Sequence, residues 1–180
     1  VMKGGETFPG VRCVMSAGAP VSDVLLRDVA QSFPDAALFS PYGMTEMLIV
    51  TDGIRGDARS VRGVPVGHPL PGVEVMVFPF GCVASDDLAP VPTGVTGELF
   101  VTGPWLSVGY DQHWSRNRDA RVHYAGREWH RTGDVGHVQD GVFVEGRIAH
   151  VIDVAGTRIT PVPIEQSVEE MFPGVTAAAV

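Results

Sequence analysis

Lysine is nearly missing from this chain. Thirteen residues are basic, and the one lysine among them is Lys3. Any chemistry that needs an ammonium group further along must draw it from elsewhere. Cysteine is scarce as well. Cys13 and Cys82 have no metal-ligand spacing, which excludes a disulfide framework and leaves two reduced thiols. The six histidines, at 68, 113, 123, 130, 137 and 150, are scattered without ligand spacing, so no metal is assigned to them. No apolar run approaches the ~20 residues of a membrane helix, and nothing at the N-terminus reads as a signal peptide. A cytoplasmic protein without a membrane span is expected. Positive charge is in deficit: the net charge is −8, which speaks against a nucleic-acid partner. Hydrophobic residues make up 44% and charged ones 19%, so a core can be buried and wholesale disorder is excluded.

What is present organises into two patterns. Glycine and proline, 22 and 14 residues, predict many turns. VRCVM (11–15) reads as a short strand and SAGAP (16–20) as a turn. Ser22 and Asp23 open a helix that ends near Pro34, and AALFS (36–40) reads as a second strand stopped by Pro41. That order predicts an α/β unit with parallel strands. From about Val61 the pattern changes to short β-rich segments, 73–78, 97–103, 128–134 and 141–147, separated by Gly, Pro and Asp clusters. This is the signature of a small antiparallel barrel or sandwich, with 81–94 as a surface loop. After Arg147 the order strand (150–156), strand (158–160), helix (161 to about 172), strand predicts the start of a small α+β domain. The fold class expected is therefore α/β: a parallel-sheet piece (1–60) and an antiparallel barrel (61–147) forming the C-terminal part of a large domain, then a truncated second domain (148–180). The final run Val175–Val180 reads as a buried strand cut short, so a piece of a longer protein is expected. Trp105, Trp114 and Trp129 read as core or surface packing.

The segment PYGMTE (41–46) stands directly after a strand. In plain structural terms it is a strand-to-loop turn. Chemically, the Tyr42 ring suits a purine face, Gly43 permits close backbone approach, the Thr45 hydroxyl can donate to a phosphate oxygen, and Glu46 suits Mg²⁺ beside substrate phosphates. Around it lie SAGAP (16–20), GELFVTGPWLSVGY (97–110), RTGD (131–134) and GR (146–147). In this order the five motifs resemble the adenylate-forming superfamily of acyl-CoA synthetases, adenylation domains and luciferases, over roughly residues 11–172.

The resemblance implies an ATP-dependent ligase. A carboxylic acid substrate is joined to AMP from ATP with Mg²⁺, and a thiol acceptor, usually coenzyme A, then displaces AMP. It implies that Gly18, Ala19 and Pro20 line an adenine pocket, that Tyr42 stacks on adenine beside Gly43, and that Thr45 touches phosphate. Glu46 is the implied magnesium ligand and Asp134 the implied acceptor of both ribose hydroxyls. Arg147 is implied to meet the nucleotide at the domain boundary, and Arg158 to approach the phosphates. Without the resemblance, Asp134 reads as a turn cap before Gly136, and Arg147 and Arg158 as surface charges, Arg147 pairing with Glu145 or Asp140. The apolar residues Met47 to Val50 favour a fatty or other hydrophobic acid and read equally as core.

Three departures bear on function. Ala149 occupies the family's hinge position, usually Asp or Lys. The Ser/Thr/Gly-rich phosphate loop ending in lysine has no counterpart here, and neither has the late catalytic lysine, so the isolated chain is expected to be inactive without the missing N- and C-terminal parts of its own chain. Three readings stay open: an acyl-activating ligase, a β-lactone-forming or carrier-protein-loading relative, and a non-catalytic nucleotide-binding module.

Overall fold

The computed structural model describes residues 6–19, 21–54, 62–82, 88–172 and 175. Pro20 and the expected final strand lie outside them. β1 (Cys13–Met15) and β2 (Ala37–Phe39) pair in parallel through α1 (Asp23–Ser32), as the strand–helix–strand pattern predicts. Ser22 caps α1 by accepting from the Leu25 amide at 3.3 Å, and Asp23 stands in its first turn, where the helix dipole favours an acid. Phe33 stacks on Phe8 at 5.3 Å where the helix ends.

After β2 the chain leaves the sheet for an excursion that closes on itself. The Tyr42 carbonyl accepts from the amides of Val50 and Thr51, and the Ser40 amide donates to the Gly53 carbonyl. A Cβ on Gly53 would stand 2.4 Å from the Pro41 nitrogen, so this crossing tolerates glycine alone.

The second pattern is a six-stranded antiparallel sheet. β3 (Val64–Pro65), β4 (Glu74–Phe78), β5 (Gly97–Thr102), β6 (Arg121–Tyr124), β7 (Arg127–Gln139) and β8 (Gly141–Arg147) follow in the chain. The order across the sheet is β3-β8-β7-β5-β4, with β6 beside the first half of β7. It curls into a half-barrel and not a closed barrel, because among the described residues the edge strands β3 and β4 do not pair. β5 is buried along its whole length, as expected for a strand covered on both faces. Three apolar clusters fill the curl, centred on Leu99 and Val142, on Phe100 and Trp129, and on Met47 and Val101. Of the tryptophans only Trp129 is core; Trp105 is partly exposed and Trp114 is exposed.

β7 carries two irregularities. Against β5, Phe100 pairs Arg131 but Glu98 pairs Val135, so Thr132–Asp134 bulge out of the ladder. The Thr132 hydroxyl donates to the Leu99 carbonyl at 2.8 Å and accepts from the Asp134 amide at 2.9 Å, while Gly133 takes φ +71°. Against β8, Asp134 pairs Arg147 before the register shifts at Gly136. A Cβ on Gly136 would fall 1.9 Å from the Phe143 carbonyl oxygen.

A short 3₁₀ turn (Ile148–His150) leads to the hairpin β9 (Ile152–Val154) and β10 (Thr157–Ile159), then to α3 (Pro161–Met171). Proline at the first helical position is free of the donor a helix interior needs. Val162 packs into the cluster around Leu99. Beneath it the buried Glu145 carboxylate accepts from Thr96 Oγ1 (2.8 Å) and Thr160 Oγ1 (3.0 Å) and lies 2.6 Å from His137 Nδ1. Among the described residues no helix is long and apolar enough to cross a membrane.

Burial raises the Glu145 carboxyl pKa, but the hydrogen bonds from His137, Thr96 and Thr160 outweigh it, and the group titrates below its ordinary 4.5. A depressed carboxyl contributes stability above its unfolded pKa and loses it as pH falls through the folded one. Replacing Glu145 with Gln should therefore lower stability by about 1–3 kcal/mol near neutral pH, and the difference from the parent should shrink below pH 4.5. Urea unfolding midpoints followed down in pH measure both.

Candidate active site

Four segments meet around one cavity of about 330 Å³. The turn after β1 brings Gly18 and Ala19, the loop after β2 brings Tyr42 and Gly43, the β7 bulge brings Asp134, and the end of β8 brings Arg147. The start of α3 closes the far wall with Val162 and Glu165. The centre is Asp134, only 6% exposed. The Tyr42 hydroxyl donates to its Oδ2 at 2.6 Å, and Arg147 Nε lies 2.9 Å from its Oδ1. Arg147 thus pairs with Asp134, and not with Glu145 or Asp140.

Burial lifts the Asp134 carboxyl above its ordinary 3.8, and the neighbouring Glu46 charge adds to this; the Tyr42 hydroxyl and the Arg147 charge oppose it. Burial, together with the Asp134 charge, holds the Tyr42 hydroxyl well above 10. The Tyr42 hydroxyl is the donor of this pair and the Asp134 carboxylate, beside Arg147, its acceptor. The Tyr42 amide is tied in turn to Thr51 Oγ1 at 2.9 Å, and that buried hydroxyl donates to the Val66 carbonyl at 2.5 Å. Thr51 locks the loop onto the sheet and carries no signature in the sequence, because it works through backbone groups nine and 15 positions away.

Glu46 does not line this cavity, although its charge reaches Asp134. Its Oε1 accepts from the Tyr110 hydroxyl at 2.5 Å, and its backbone carbonyl accepts from the Ser107 amide at 2.8 Å. Burial raises its pKa, but the Tyr110 hydrogen bond and the charges of His130 and Arg121 bring the net shift below 4.5. Among the described residues no three His, Cys, Asp or Glu gather as a metal cage. A single half-buried carboxylate of hard oxygens suits Mg²⁺, which keeps waters and takes its other ligands from phosphates.

Two more of the residues singled out do not line this cavity. Thr45 is exposed and does not line the cavity. Arg158 does not line it either: its guanidinium lies 4.7 Å over the Phe80 ring, as the β9–β10 hairpin turns toward the β4 end of the sheet. Of the apolar stretch after Glu46, Met47 and Val50 are core, while Leu48 is 70% exposed. Pro20 lies outside the described residues.

A family model described as AMP-binding enzyme matches residues 2–111. The chain belongs to the AMP-binding enzyme family. Among its relatives, a D-alanine–D-alanyl carrier protein ligase of Bacillus velezensis is 27% identical over 169 residues, 92% of this chain and 32% of that protein. A 4-coumarate–CoA ligase-like protein of Arabidopsis thaliana is 31% identical over 164 residues, 89% of this chain and 27% of that protein. The crystal structure of ATP-bound MatB from Rhodopseudomonas palustris matches with a TM-score of 0.74 and 26% identity, over 92% of this chain and 31% of MatB. The chain thus spans about a third of the length of the relatives it matches.

Tyr42→Phe removes one donor from a buried carboxylate. It should cost about 1–3 kcal/mol in urea unfolding and raise the Asp134 pKa further, read by carboxyl-carbon NMR titration.

Proposed function

We propose that the protein carrying this chain is an ATP-dependent acyl-activating ligase. It joins a carboxylic acid to AMP and passes the acyl group to a thiol. The observation that carries this reading is the convergence of Tyr42, Asp134 and Arg147 on one cavity, within a chain of the AMP-binding enzyme family. In this reading residues 1–147 are the C-terminal part of the AMP-binding domain and 148–180 begin a smaller one.

The chemistry of each group follows from its surroundings. The Asp134 carboxylate, held between two donors, presents a rigid acceptor pair to the 2′- and 3′-hydroxyls of ribose; Tyr42 and Arg147 share its charge and steer the hydroxyls into place. The Tyr42 ring and the Gly18–Ala19 turn bound the space for adenine. Gly43 lets the loop close tightly on itself behind that wall, since a Cβ there would stand 3.3 Å from the Met47 carbonyl oxygen. Glu46 would hold Mg²⁺, which supplies charge neutralisation on the phosphates when bound. Thr45, exposed on the same loop, is free to reach a phosphate oxygen. Arg158, stacked on Phe80, takes no part in this arrangement. The lysine-bearing elements that would stabilise the transferring phosphate belong to the two thirds of the family's length outside this chain.

A hydrophobic acid with coenzyme A as acceptor is the favoured pairing. Leu48, with its side chain in the open beside Glu46, supports an apolar acid. The carrier-protein ligases among the relatives make a protein-bound thiol the alternative acceptor.

The test is ATP–pyrophosphate exchange by the full-length protein with a panel of aliphatic, aromatic and amino acids, then thioester formation with coenzyme A or a carrier protein. Exchange dependent on one acid class is expected. In parallel, calorimetry should show AMP affinity falling by at least about tenfold in Asp134→Ala, a loss near 1.4 kcal/mol. AMP binding unchanged in that variant overturns the site. AMP binding without exchange, for every acid, makes the protein a non-catalytic nucleotide binder.

A further inference from the structure

One helix of the fold has no packing reason to be where it is. α2 (Trp114–Ala120) buries none of its residues. Yet it is tied to the loop that precedes it by polar contacts of a single side chain. Asn117 Oδ1 accepts from the Tyr110 amide at 2.6 Å, and Asn117 Nδ2 donates to the Tyr110 carbonyl at 2.8 Å. The pair satisfies both backbone groups of one residue, as a neighbouring strand would. Gly109 makes room for the clamp, since a Cβ there would meet Asn117 Oδ1 at 2.9 Å, and its φ of +146° is one that side chains rarely adopt.

The clamped residue points its hydroxyl at Glu46 Oε1, 2.5 Å away. The backbone of Glu46 is held from the same direction. Its carbonyl accepts from the Ser107 amide at 2.8 Å, and the Ser107 carbonyl and hydroxyl both accept from Arg121 Nη2, at 2.5 and 2.9 Å. The Arg121 side chain is only 8% exposed. The 107–121 segment therefore grips both the backbone and the side chain of Glu46. A carboxylate has two oxygens and about four acceptor positions. One donor on Oε1 fixes the rotamer and leaves Oε2 facing a set direction.

We propose that Tyr110 is the positioning residue of the Glu46 carboxylate, and that α2 exists to clamp Tyr110 through Asn117. The proposal rests on the reading of Glu46 as the magnesium ligand. It adds a residue that touches neither metal nor nucleotide and still sets metal affinity, by removing the rotamer freedom that Glu46 would otherwise lose on binding.

The experiment uses full-length protein and ATP as probe, titrated by calorimetry once with Mn²⁺ and once with EDTA. The ratio of the two dissociation constants is the contribution of the metal. Tyr110→Phe should reduce that ratio by about tenfold or more, while ATP affinity in EDTA, which reports a folded Asp134 cavity, stays within about twofold. Asn117→Ala should act in the same direction, and the double variant should lose little beyond Tyr110→Phe alone, since both act through one chain of contacts. Affinity falling equally in both arms would mean a merely structural tyrosine and overturns the proposal. A ratio unchanged in Tyr110→Phe but reduced in Glu46→Gln also overturns it and leaves the metal reading standing. A ratio unchanged in Glu46→Gln removes Glu46 as ligand, and the proposal with it.

Discussion

A carboxylate on a residue only 6% exposed is unfavourable unless donors surround it, and the arrangement of this protein follows from how Asp134 finds them. One donor comes from the loop after the parallel strands and the other from the end of the adjacent antiparallel strand. The two halves of the fold are otherwise different in kind, one a parallel β-α-β unit and the other a curled antiparallel sheet. Asp134 is where they share a charge. The cavity forms there because the loop, the bulge and the strand end must all approach one side chain.

Irregularity is what delivers that side chain. A strand as long as β7 would run past the site with its residues alternating between faces. The bulge at Thr132–Asp134 interrupts the alternation, with Thr132 satisfying the backbone groups that the missing ladder leaves open. Glycine recurs where backbone must cross backbone, at Gly53 and Gly136. The same logic recurs at Glu145, a second buried carboxylate satisfied by donors from separate segments. Its partners tie the start of α3 to the sheet, so the wall that Val162 and Glu165 lend to the cavity rests on a polar network and an apolar contact together.

How legible each part was depends on how local its cause is. α1 was readable because Ser22 caps it and Pro34 follows it; α3 because Pro161 opens it; β4, β5 and β8 because apolar residues crowd between turn residues. β3 escaped because two residues make no pattern, and α2 because a helix that buries nothing has no apolar stripe to detect. The antiparallel barrel portion was legible from its run of short strands, while the openness of its curl, with edge strands β3 and β4 unpaired among the described residues, was not. In the site, Tyr42, Gly43, Asp134 and Arg147 were legible through their motifs, while Thr51 and Tyr110 act through partners nine and 64 positions away. Arg158 fits its motif, yet in space its cation finds an aromatic face instead of the cavity.

The order of motifs, the turn glycines and the helix caps were decided by residues next to one another, so the chain's family and its α/β character stood in the sequence alone. Convergence was not. That Tyr42 and Asp134, 92 positions apart, come within 2.6 Å, and that Glu46 meets Tyr110, 64 positions on, depends on strand register and on one bulge. Those are properties of many weak pairings summed across the sheet, and only the folded chain performs that sum.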